Sequence, residues 1–76
     1  MNKDRRARIQ ALIDKLYDIQ SDIDFIKEEE QEYYDNMPES IQYGEKGDKA
    51  QEAIDNLDYA YSQIDEVVEY LEVALA

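Results

Sequence analysis

The sequence predicts an all-α fold, an antiparallel two-helix coiled-coil hairpin that dimerises into a four-helix bundle. Three observations lead there. Ile9, Leu12, Leu16, Ile19, Ile23 and Ile26 recur alternately three and four residues apart, the a and d spacing of a heptad. A second stretch, from Asp48 to about Leu75, repeats that periodicity with an apolar stripe wider than one partner helix can cover. Between the two lie Pro38, Gly44 and Gly47, residues that stop a helix and turn a chain.

The chain has 76 residues, enough for one small domain, so two helices sharing a single seam leave much of their surface in water. It has no Cys and no His, which rules out disulfide staples, thiolate or imidazole metal sites and the usual acid-base side chain. Against 20 Asp and Glu stand 8 Lys and Arg, a net charge of -12 that attracts basic partners and repels nucleic acid and anionic membranes. No apolar run approaches the roughly 20 residues of a membrane span, and the opening MNKDRRAR lacks the apolar segment of a signal peptide. The expected compartment is the cytoplasm, with no direct binding of nucleic acid or membrane.

The first helix is expected over residues 3–36. Asn2 caps it, and Lys3, Arg5, Arg6 and Arg8 load its first turns with cations where the helix dipole prefers anions. The heptad continues through Glu30 at a, Tyr33 at d and Met37 at a until Pro38 ends it. Glu30 is the one charge written into the predicted seam, near enough to the loop to reach water or a lysine. Residues 37–47 form the turn: Pro38 opens a short helical turn through Ser40 to Gln42, and the two glycines supply the φ freedom for reversal. GEKGDK lacks the spacing and the Ser or Thr of a phosphate-binding loop, and no strand precedes it.

The second helix is expected over residues 48–75, with Asp48 and Gln51 as a capping box. Ala50, Leu57, Ile64 and Leu71 take a positions, and Ala53, Ala60, Val67 and Ala74 take d. Position e is apolar too. From Gln51 onward the helix carries seven acids and no base, and closing the hairpin is expected to lay Asp65 to Glu72 beside the basic start of helix one.

An a/d seam leaves two unlike sides. One collects Ile13, Tyr17, Tyr34, Ile54, Tyr61, Val68 and Leu75, the expected interface of a homodimer. The other gathers Asp18, Asp22, Phe25, Glu29, Glu32, Glu52, Tyr59, Glu66 and Tyr70, carboxylates around exposed rings, the expected binding face for a basic protein. Such a face could imitate nucleic acid, and the competing reading is a structural coiled-coil adaptor with a solvated acidic surface. Nothing in the pattern supplies a nucleophile, an oxyanion donor or a cofactor cradle, and the paired-carboxylate di-iron bundles need Glu-x-x-His motifs that this chain lacks. No catalytic, cofactor or metal residues are expected.

Through MNKDRRARIQALIDKL and DNMPESIQYGEKGDKAQEAIDNL the chain resembles small acidic helical-hairpin proteins of bacteria and their phages, over most of its length. The resemblance implies a small accessory protein that binds host factors, including inhibitors of defence systems, and carries over no catalytic residues.

Overall fold

The computed structural model describes residues 1–76 as three helices: α1 over Lys3–Asp35, α2 over Glu39–Gln42 and α3 over Glu45–Leu75. The two long helices lie against each other as an extended pair, 59 × 15 × 12 Å, with no strand.

Helix α1 starts where the sequence placed it. The Asn2 side chain accepts a 2.8 Å hydrogen bond from the Arg5 amide, and the Asn2 carbonyl accepts from Arg6. It ends at Asp35, with Asn36 as its cap and Pro38 in extended conformation (φ -57°, ψ 148°) just beyond. The short turn begins one residue after Pro38, at Glu39, and the Pro38 carbonyl accepts from the amides of Ile41 and Gln42.

Helix α3 begins four residues earlier than a capping box at Asp48 requires. Gly44 is its N-cap, and the Asp48 amide already donates to the Gly44 carbonyl inside the first turn. Glu45 and Asp48 there suit the helix dipole. Neither glycine has positive φ, so φ freedom is not why they are present. Gly47 is buried, and a Cβ on it would collide with the backbone of Gln42, so its role is to admit that backbone. The Gln42 side chain then donates to the Tyr34 carbonyl at 2.9 Å and ties the turn to α1.

The seam is the main departure from expectation. Its buried residues are Ile13 and Gln20 from α1 and Ala50, Ile54 and Val68 from α3, flanked by half-buried Ile9, Leu16, Ile23, Leu57, Ile64 and Leu71. In heptad notation the helices therefore meet along a and e. The d residues Leu12, Ile19, Ile26 and Tyr33 stay about half exposed, between 47% and 53%. The cause lies in α3, where e offers Ile54, Tyr61, Val68 and Leu75 and d offers mostly alanine. A lone pair of helices can close on only one flank; closing on e leaves the apolar d residues of α1 half exposed, and in exchange it buries the large e residues of α3 and lets Gln20 and Lys27 of α1 reach Asp65 and Asp58.

Candidate functional site

Three polar ties cross the pair, all on the flank beside e. The Gln20 amide, 4% exposed, donates to the Tyr61 carbonyl at 3.1 Å and to the Asp65 carboxylate at 2.7 Å. Lys27 forms an ion pair with Asp58 at 2.8 Å, and the Tyr17 hydroxyl donates to Glu72 at 3.3 Å. Sequence reasoning missed Gln20 and Lys27, because a Gln and a Lys at e read as solvated. The available signal was Asp58 and Asp65 at successive b positions of the facing helix.

This arrangement corrects the expected electrostatic lock. Asp65 and Glu72 bond Gln20 and Tyr17, not the basic start of α1. Of that basic cluster only Arg8 has an ion-pair partner, Asp4, one turn away in α1 itself. The other pairs are Lys27 with Asp58 and Lys49 with Glu45, so Lys3, Arg5, Arg6, Lys15 and Lys46 make none. Glu30 is half-buried at the seam and meets no lysine.

The expected dimer face is corrected as well. Ile13, Ile54 and Val68 are 2%, 5% and 4% exposed because they form the seam of the single chain, and Tyr34 and Leu75 are half-buried beside them. Only Tyr17 and Tyr61 keep substantial exposure. A surface already spent inside the hairpin is not open to a second copy.

All nine residues of the expected acidic face are exposed, yet they do not form one face. At about 100° of rotation per residue, Phe25 lies about 160° from both Ile23 and Lys27, and Tyr59 lies as far from Leu57 and Tyr61. Each ring therefore points away from the other helix. Asp18, Asp22, Phe25, Glu29 and Glu32 line the outer side of α1, while Glu52, Tyr59, Glu66 and Tyr70 line that of α3. Rotation of the seam from d to e is what separates them.

The α3 side is the more one-signed. Tyr59, Tyr70 and Val73 are 69%, 78% and 73% exposed among Glu52, Asp55, Glu66 and Glu69, and no Lys or Arg occurs after Lys49. At the C-terminal end Glu66, Glu69, Tyr70, Glu72 and Val73 border an open groove, where the carbonyl end of the helix dipole adds to the negative potential. Such a surface can take guanidinium or ammonium groups between carboxylates, with their planes and stems on the tyrosine rings. No group of three or more Asp and Glu is placed to hold a metal ion, and no helix is long and apolar enough to cross a membrane.

Two groups on the polar flank are perturbed. Partial loss of water and then the Glu72 carboxylate raise the Tyr17 phenol above its ordinary 10.0, and the hydrogen bond to Asp58 raises the Lys27 ammonium above 10.5. Both shifts favour the protonated form in the folded chain. Their stabilisation is complete below the unfolded values and is lost as pH rises through the folded ones. Thermal unfolding should thus become easier above about pH 10. Tyr17→Phe should remove a late step from the alkaline tyrosinate titration, and loss of a step at the ordinary tyrosine pH instead would disprove the raised Tyr17 phenol and its bond to Glu72.

No protein-family model, curated protein or solved structure matches the chain.

Proposed function

We propose that this protein is a non-enzymatic acidic binding module of the cytoplasm that occupies a basic site on another protein. The observation that carries the proposal is the outward side of α3, with exposed Tyr59 and Tyr70 set among Glu52, Asp55, Glu66 and Glu69 and no Lys or Arg in the helix after Lys49. Arginines and lysines of the partner would bridge these carboxylates while the rings cover their apolar stems. In its sharpest form the module is a phage-type inhibitor that takes the place of nucleic acid in a host protein's basic groove.

The competing reading, a structural coiled-coil adaptor, draws on the half-exposed d stripe. Salt separates the two. Contacts between exposed charges weaken as the screening length falls below about 8 Å, whereas apolar contacts persist. Bacterial lysate should therefore be passed over the immobilised protein at low and high salt, with mass spectrometry of the eluates. The expected result is a defined basic protein captured at low salt, released at high salt, and no longer captured when Glu52, Glu66 and Glu69 become Lys in a chain that keeps its helicity. Capture that survives both salt and the triple substitution would instead favour the adaptor.

A further inference from the structure

The d flank of the hairpin is left uncovered by the chain itself. In an antiparallel pair the d positions of both helices fall on the same flank, so Leu12, Ile19, Ile26 and Tyr33 of α1 lie beside Ala60, Val67 and Ala74 of α3. All three polar ties sit on the opposite flank and leave this one open. The face is two helices wide, and from Leu12 to Tyr33 it runs about 32 Å.

Charge along its rim selects the occupant. The g positions of α1 bordering the stripe read Arg8, Lys15, Asp22 and Glu29, basic in the first half and acidic in the second. We infer that two hairpins pack d face to d face about a two-fold axis at Ile19, with the α1 helices antiparallel. Ile19 then meets its own copy and Leu12 meets Ile26, each seven residues from the axis. The same operation sets Arg8 beside Glu29, Lys15 beside Asp22, and Arg5 over the ring of Tyr33.

The cross-helix ties fix the rest. They put Ile19 level with Val67, so one axis also brings Val67 onto itself and Ala60 onto Ala74, where small side chains let the α3 helices approach closely. The other two-fold arrangement, with its axis along the helices, lays α1 of one copy on α3 of the other and sets Lys15, Asp22 and Glu29 opposite Tyr70, Gln63 and Asn56, which leaves the rim charges unpaired. The inferred arrangement uses Arg5 and Lys15, which lack ion-pair partners within the chain.

Sedimentation equilibrium at micromolar concentration should give a dimer. Ile19→Glu, at a position 47% exposed in the single chain, should weaken association by more than about 100-fold while circular dichroism still reports helix. Lys15→Asp should weaken the dimer, and adding Asp22→Lys should restore it. The absence of native cysteine allows an orientation test that leaves the stripe apolar even if Ile19→Glu disturbs folding. Ile19→Cys should form a disulfide-linked dimer on mild oxidation; Leu12→Cys and Ile26→Cys should each fail alone and cross-link when mixed. A wild-type monomer, a dimer indifferent to Ile19→Glu, or self-linking of Leu12→Cys would overturn the inference. Because the triple substitution on α3 lies away from this face, loss of partner capture and loss of dimerisation are read separately.

Discussion

Val68→Glu should unfold the chain at room temperature, whereas Val67→Glu should keep the hairpin helical. The two positions are adjacent in sequence, but Val68 is 4% exposed within the seam and Val67 is 45% exposed on the open flank. A carboxylate at 68 would enter apolar surroundings without a cation, and the neighbouring Asp65 and Glu72 would repel it. The penalty for such a charge is several kcal/mol, comparable with the roughly 3–5 kcal/mol that a core of this size supplies. At 67 the charge reaches water. Circular dichroism at equal protein concentration distinguishes the two, and an unfolded Val67→Glu beside a helical Val68→Glu would place the seam on d.

Ile13→Ala is the second large effect. Ile13 is the most deeply buried large side chain, at 2% exposure, and truncating it leaves a cavity between two helices that have few other buried contacts. The expected loss is about 3 kcal/mol. For a domain of this length that lowers the melting temperature by roughly 12–24 °C. Val73→Ala, removing two methyl groups from a position 73% exposed, should stay within about 0.5 kcal/mol. Equal losses at the two sites would mean that Ile13 does not face α3.

The periodicity of Ile9 to Ile26, the cap at Asn2 and the stop at Pro38 were enough to read two long antiparallel helices, because each follows from local chemistry. The flank on which the helices close was not legible in the same way. Helix α3 carries apolar residues at a, d and e while α1 has Gln20 and Lys27 at e, and a heptad reading takes d by default. The choice falls to e because Ile54, Val68 and Leu75 outweigh alanines at d and because Gln20 and Lys27 find Asp65 and Asp58. These are long-range pairings that no window of sequence displays. Gly47 was likewise visible as a glycine but not as the point where the Gln42 backbone passes.

The candidate site was legible residue by residue and not as an arrangement. Phe25, Tyr59 and Tyr70 are exposed beside acids as expected, but a rotation of roughly 50° about each helix axis, the difference between an a/d and an a/e seam, sends Phe25 and Tyr59 to opposite sides. The expected dimer face became the seam through that same rotation, which leaves the d stripe as the apolar surface open to a second chain.

The seam is tested most directly at Gln20. In this structure its side-chain amide is buried and donates to the Tyr61 carbonyl and the Asp65 carboxylate across the helix pair. Nuclear magnetic resonance should find its two amide protons shifted away from solvent-exposed values, slow to exchange, and linked by nuclear Overhauser effects to protons of Tyr61 and Asp65. Solvent-like shifts for Gln20 with no cross-helix effects, together with Leu12 and Ile19 methyls in contact with α3 of their own chain, would contradict the a/e seam and every surface assignment built on it.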